Sequence, residues 1–235
     1  MDWMRWHTDY DDAASPLAQR LRVVQEQIRG VLDRSPAGPI SVVSMCAGQG
    51  RDLLEVLATH PRRDDVRARL MELDPDNAAV ARSAAFAGVE VVESDAGLVD
   101  AYLGAVPADL VLACGVFGNI TDADIERTVA FCGQLCRDGG TVIWTRHRRQ
   151  PDLVPAICDW FEHAGFDRVT LTRPELGYGV GAHRRTRAPE PIEAGARMFT
   201  FVGSKALLGE TQPRSGPPSP RRSTPGDPGS AARPG

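Results

Sequence analysis

The sequence predicts an α/β fold: a central, mostly parallel seven-stranded sheet with an antiparallel last strand and helices on both faces. Three observations carry that expectation. Short runs rich in Val, Ile and Leu alternate with segments of helical period between residues 15 and 203, and such alternation builds parallel strands joined by crossover helices. The run Ile40-Ser-Val-Val-Ser-Met-Cys-Ala-Gly-Gln-Gly-Arg-Asp52 leads a buried strand through a small-residue turn into a helix, an arrangement that lets backbone N–H groups approach a nucleotide-like ligand. Carboxylates then recur where the next two strands end, at Glu72 and Asp95.

The elements follow in order. Ser15-Pro16 starts a helix, a capping hydroxyl before Pro at the first helical position; Leu17, Leu21, Val24, Ile28 and Val31 share one face of it. Strands are expected at 40–45, 68–73, 89–93, 110–114, 141–145 and 168–172. Helices are expected at 51–59, 75–87, 122–137 and 152–164, with a short one near 100–104. Asp74-Pro75 caps the helix it precedes, and Thr121 with Asp124 stands as a variant capping box. No helical period separates 168–172 from 198–202, so the last strand, 198–202, is expected to enter antiparallel beside 168–172. The intervening 173–197, rich in Gly, Pro and Arg, is longer than ordinary loops and reads as a lid or a disordered stretch; Tyr178 and His183 give it ligand-facing groups. Domain boundaries follow: an N-terminal helical cap over 1–35, the main domain over 36–203, and a Pro-, Gly-, Ser- and Arg-rich disordered tail over 204–235.

The net charge of −4 gives no footprint for nucleic acid, despite the local runs Arg146 to Arg149 and Arg184 to Arg187. The five cysteines, Cys46, Cys114, Cys132, Cys136 and Cys158, lack Cys-x-x-Cys spacing and mostly sit in apolar segments, as reduced core residues do. No run approaches the ~18 apolar residues of a membrane span, so a cytoplasmic protein without membrane contact is expected. No metal is expected: Cys132 and Cys136, four residues apart on one helix, have no His or further Cys beside them.

Two common ligands of a glycine turn match this one poorly. A dinucleotide fingerprint needs a third small residue where Leu53 stands, and a phosphate loop needs a lysine where none occurs, Lys205 being the chain's only one. With Ser44 at the position of the usual acid and Cys46 at that of the first glycine, the turn resembles motif I of the class I S-adenosylmethionine-dependent methyltransferases. Three further segments strengthen the resemblance: Glu72 after the second strand, Glu93-Ser-Asp95-Ala96 after the third, and Ala113-Cys-Gly-Val-Phe-Gly-Asn119 after the fourth. The Cys46–Asp52, Gly115–Asn119 and Val142–His147 segments also look like a small bacterial subgroup of that family.

The resemblance implies a Rossmann-like domain, S-adenosyl-L-methionine as cofactor, and methylation of a small molecule at O or N. It implies a cofactor site made of Ser44, Ala47, Gly48, Gly50, Arg51, Glu72, Leu73, Asp95, Ala96, Cys114 and Gly115. Glu72, or less readily Asp74, would hold the ribose, and Asp95 the adenine amino group, with Phe117 packed on adenine, closing over substrate, or in the core. Arg51, Arg20 or Arg22 would grip the cofactor carboxylate, with Trp3, Trp6, His7 and Tyr10 as a lid or as plain packing. Catalytic candidates are His147 as base, at the end of the fifth strand among Arg146, Arg148 and Arg149, then His183 and Tyr178. Arg146 and the loop arginines have a second reading, as binders of a substrate carboxylate or phosphate. A homodimer is compatible with the sequence. The alternatives are a non-catalytic S-adenosylmethionine-binding regulatory or scaffold module and, less well matched, a nicotinamide-dependent oxidoreductase.

Overall fold

The computed structural model describes residues 10–203 and Leu207. The first helix, α1 (Pro16–Arg34), opens behind Ser15, whose side chain accepts from the Ala18 N–H while Pro16 fills the first helical position. One orphan donor is thereby satisfied and another never exists. The buried residues Val24, Ile28, Val31 and Leu32 turn α1 toward α2 (Arg51–Leu57) and the sheet, so α1 is one of the sheet's covering helices.

Seven strands lie in the order β3-β2-β1-β4-β5-β7-β6. β1 (Ile40–Ser44) sits between β2 (Val66–Glu72) and β4 (Ala108–Ala113), parallel to both, with Val42 opposite Ala68 and Leu110. β3 (Val89–Glu93) and β5 (Cys136–His147) extend the parallel part on either side. β4 is buried along its whole length, as a central strand covered on both faces must be. Side chains alternate between two cores. Val43, Met45, Val111 and Trp144 face one, shared with α4 (Asp122–Leu135) and α5 (Val154–His163). Val42, Leu70, Leu110 and Ile143 face the other, shared with α1, α2 and α3 (Pro75–Ala84). Cys132 and Cys136 are both fully buried in the first core, Cys136 as the opening residue of β5.

The chain's last part departs from expectation. β6 (Phe166–Leu171) lies where a strand is expected, but the antiparallel last strand is β7 (Tyr178–Arg185), inside the stretch read as a lid or disordered, and it inserts between β5 and β6. Its pattern is hidden because Gly179 and Gly181 occupy positions where neighbours need the space: a Cβ on Gly181 would lie 2.5 Å from the Trp144 ring, and one on Gly179 2.7 Å from Val154. Residues 198–202 form no strand. They continue a strap in which Val99 N–H donates to Ala196 O, Met198 N–H to Gly97 O, and the N–H groups of Val202 and Gly203 to Asn119 O. Met198 and Phe199 are apolar because they are buried against the sheet's edge, not because they pair in it.

Among the described residues no helix is long and apolar enough to cross a membrane. The tail assigned to 204–235 lies, apart from the exposed Leu207, outside the described residues, as do Trp3, Trp6 and His7.

Candidate active site

The turn after β1 reverses direction within three residues. Cys46 is the only non-glycine described with positive φ, 48°, and Gly48 follows at 57° and Gly50 at 71°. This left-handed backbone aims amides outward, and the side chain at position 46 carries a strain that a glycine would avoid. Ala47 N–H donates to Met71 O at 2.8 Å and Gly48 N–H to Glu72 Oε2 at 2.7 Å; Glu72 Oε1 accepts from Asp74 N–H at 2.9 Å. One carboxylate thus ties the β1 turn to the β2 turn. Asp74 Oδ1 accepts from the Asp76 and Asn77 N–H groups and so caps α3, which leaves Glu72 as the free-facing acid of the pair.

These turns border a cavity of about 500 Å³ at the C-terminal edge of the strands, within the usual range for small-molecule sites. Ala47, Gly48, Arg51, Glu72, Leu73, Asp95, Ala96, Cys114 and Gly115 line it, together with Tyr10 and Arg20. Ser44 and Gly50 do not. Ser44 is sealed within β1, and Gly50 caps α2 with its Cα toward Leu54 and Leu70. Arg22 donates to Ala13 O instead.

Asp95 stands at the β3 end. Its Oδ1 accepts from Gly97 N–H and its Oδ2 pairs with Arg197 at 2.8 Å. At the opposite end, toward β4, Asp52 lines the cavity with its carboxylate bound, among the described residues, only to backbone N–H, and burial raises it to about 6. Tyr10 and Arg20 share that end; burial pushes the Tyr10 phenol up to about 12 against the opposing pull of Arg20. Arg51 pairs with Asp11 at 2.8 Å and sits over the Tyr10 ring. Burial also raises the Cys46 and Cys114 thiols far above their ordinary value, so neither is a thiolate nucleophile.

Gly115, φ 79°, closes the β4 end: its N–H donates to Thr145 Oγ1 at 2.9 Å and its carbonyl accepts from Asn119 Nδ2 at 2.7 Å. Nothing stands within 4 Å of where its Cβ would be, so the backbone there is bare toward the cavity. The sequence reading missed Asp52, Asn77, Asn119, Thr145, Phe199 and Phe201 as lining residues. Asp52 and Thr145 had a legible signal, Asp52 in the first turn of the helix after the glycine turn and Thr145 near the C-terminal end of β5; Phe199 and Phe201 had none, because the strap that delivers them imitates a strand.

The catalytic candidates separate. His183 lies in the core: its Nδ1 accepts from Trp144 Nε1–H at 3.1 Å, its ring stacks on Phe161 at 4.6 Å, and burial, then Arg168, lowers it to about 4. Tyr178 packs in the cluster that holds the buried face of α1. Neither reaches the cavity, because β7 runs inside the sheet rather than over it. Phe117 is likewise buried, against Trp144. His147, half-buried, lines a second, smaller cavity, and its Nδ1 accepts from Arg149 N–H at 3.3 Å.

No protein-family model matches the chain, and no curated protein does. Solved structures do. An O-methyltransferase family protein from Burkholderia thailandensis superposes with a TM-score of 0.58 at 18% identity, over 79% of this chain but only 59% of that one. The magnesium protoporphyrin IX methyltransferase of Synechocystis PCC 6803, with bound S-adenosylmethionine, gives 0.58 at 13% identity over 78% of this chain and 91% of its own. This is the class I S-adenosylmethionine-dependent methyltransferase fold. A third match within the methyltransferase fold is the 1,6-didemethyltoxoflavin-N1-methyltransferase of Burkholderia thailandensis, with bound substrate and S-adenosylhomocysteine. It gives 0.56 at 19% identity over 79% of this chain and 87% of its own.

Proposed function

We propose that the protein transfers a methyl group from S-adenosylmethionine to a small-molecule acceptor, at oxygen or nitrogen. The observation that carries this is the Glu72 carboxylate, fixed by the Gly48 and Asp74 N–H groups at the edge of a ligand-sized cavity. A carboxylate has about four lone-pair sites; two are used, and two remain for a pair of vicinal hydroxyls. The rest of the donor set fits the same cofactor. Asp95, at the β3 end, suits the adenine amino group. The Gly48 and Gly115 backbone admits close approach of the middle of the ligand. Asp52, a buried carboxylate with no cation within ion-pair distance among the described residues, offers a partner to the ammonium of the methionine end, and Arg20 or Arg51 to its carboxylate.

The cofactor supplies a methyl group already activated on a sulfonium, so the protein chiefly holds an acceptor in line at near-attack distance. Thr145 and Asn119 brace the Gly115 turn against which that acceptor would lie. His147 is held neutral by burial and by Arg146 and Arg149, the state a base needs; it would serve an acceptor reaching toward the second cavity.

The test is calorimetric titration of the full chain with S-adenosylhomocysteine. Wild type is expected to bind at micromolar level, and Glu72→Ala to weaken binding about 30-fold or more, the worth of one or two charge-assisted hydrogen bonds. Absence of wild-type binding would remove the methyltransferase reading; equal affinities would remove Glu72 from the ribose.

A further inference from the structure

A second cavity, of about 340 Å³, opens on the far side of the β4 turn. Gly118, Thr121 and Asp122 border it from the entry to α4, and Arg146, His147 and Arg149 from the end of β5. Its wall is shared with the larger cavity: Asn119 and Thr145 face that one, while their chain neighbours Gly118 and Arg146 face this one.

Arg146 is the anomaly. It is 8% exposed, its Nη1 donates to the Phe117 carbonyl, its Nε is buried without any partner, and no carboxylate stands within ion-pair distance among the described residues. The other buried arginine, Arg185, is neutralised by Glu190 and three backbone carbonyls, and the half-buried Arg148, whose Nε also lacks a partner among the described residues, has its charge met by Asp152. A buried, unpaired cation is costly, and the cost is relieved when an anion arrives. The surrounding charges are Arg149 and His147 on the same segment, Asp122 across the cavity, and Asp152, already engaged by Arg148. The amino end of the 14-residue α4, capped by Thr121, adds positive potential.

We propose that this cavity binds an oxyanion carried by the methyl acceptor, a carboxylate or phosphate held by the guanidinium of Arg146 with Arg149 at the rim. The inference rests on the methyltransferase reading and names its substrate class: small acidic molecules. A planar guanidinium fork matches a carboxylate in two parallel bonds, and the shared wall places such a group one residue away from the Thr145–Gly115 brace on the cofactor side.

The test uses three probes, benzoate, benzamide and inorganic phosphate, titrated into the full chain with and without S-adenosylhomocysteine. Calorimetry gives affinity, and the NMR signal of the His147 ring reports location. Benzoate is expected to bind at millimolar level, about tenfold or more tighter than benzamide, and to shift His147 saturably. Arg146→Gln is expected to erase that preference while S-adenosylhomocysteine affinity stays unchanged. If Arg146→Gln fails to fold, the wild-type His147 shift decides: benzoate binding without it places the anion elsewhere and overturns the proposal. No benzoate binding up to about 50 mM, or an undiminished preference in a folded Arg146→Gln, also overturns it. Tighter binding of phosphate than benzoate would make the site one for a free anion and overturn the acceptor assignment. Anion binding that survives where S-adenosylhomocysteine does not bind would leave the site intact and reject the cofactor reading alone.

Discussion

On the β3-β2-β1-β4 side of the sheet, Asp52 and Glu72 border an open cavity; on the β5-β7-β6 side, the space beside the strands is filled by Phe161, stacked on Trp144 and His183 and meeting Phe166 edge to face. Both sides bury ionisable groups. Asp52 has backbone donors but, among the described residues, no cation, whereas Arg185 is paired with Glu190 and His183, its Nδ1 accepting from Trp144 and its Nε2 without a partner among the described residues, is held neutral by burial. The difference teaches where ligand chemistry belongs: an unneutralised charge beside empty space awaits a partner, and a group enclosed by packed rings, with no room for a ligand, is architecture.

The largest effect expected from breaking this contrast comes from Trp144→Ala. Removing a fully buried ring and the donor to His183 is expected to cost about 3–5 kcal/mol in urea unfolding, with S-adenosylhomocysteine affinity in the folded variant within about twofold of wild type. Equal loss of binding would show that the two halves are not separable.

Next in size is a pair of opposed pH effects. His183 stands at about 4 in the fold against 6.5 in the open chain, so its contribution to stability, full above pH 6.5, is lost as pH falls toward 4. Asp52 stands at about 6 against 3.8, so its contribution is full below pH 3.8 and is lost as pH rises through 6. Each amounts to about 3 kcal/mol, and they offset, so the ligand-free protein should be nearly flat in stability across that window. Asp52→Asn should unmask a rise of about 2–3 kcal/mol between acid and neutral pH, and His183→Gln a comparable fall. Flat urea-derived stabilities in both variants would sink the assignment of either group. With the proposed ammonium–Asp52 contact, bound S-adenosylhomocysteine should remove the fall in His183→Gln.

A glycine in each half gives the smallest and sharpest comparison. Gly181→Ala would press a Cβ onto the Trp144 ring and should cost about 1–3 kcal/mol without touching cofactor affinity. Gly115→Ala meets no atom but holds φ at 79°; it should cost about 1 kcal/mol and weaken S-adenosylhomocysteine binding. The reverse pattern would place the cavity in the wrong half.

The same division governs what could be read in advance. β1 to β4, with the caps at Ser15, Asp74 and Thr121, are legible because their signals are local: an apolar run, a side-chain oxygen before a helix, a glycine at a turn. Glu72 and Gly48 are likewise placed together, since both mark ends of parallel neighbours. Residues 173–203 are not legible. β7 lacks an apolar period where Gly179 and Gly181 yield room to Val154 and Trp144, and the strap at 198–202 has apolar residues for tertiary reasons alone.

What the sequence determined by itself is therefore the parallel scaffold, its order of helices and strands, and the acids at its strand ends, because those depend on residues close along the chain. The tertiary structure alone decided that β7 inserts between β5 and β6, that His183 and Tyr178 are core residues, and that Asp52 and Arg146 stand beside cavities without an ion-paired partner among the described residues. Each of these depends on which distant side chain occupies the neighbouring space, and periodicity along one segment carries no record of that.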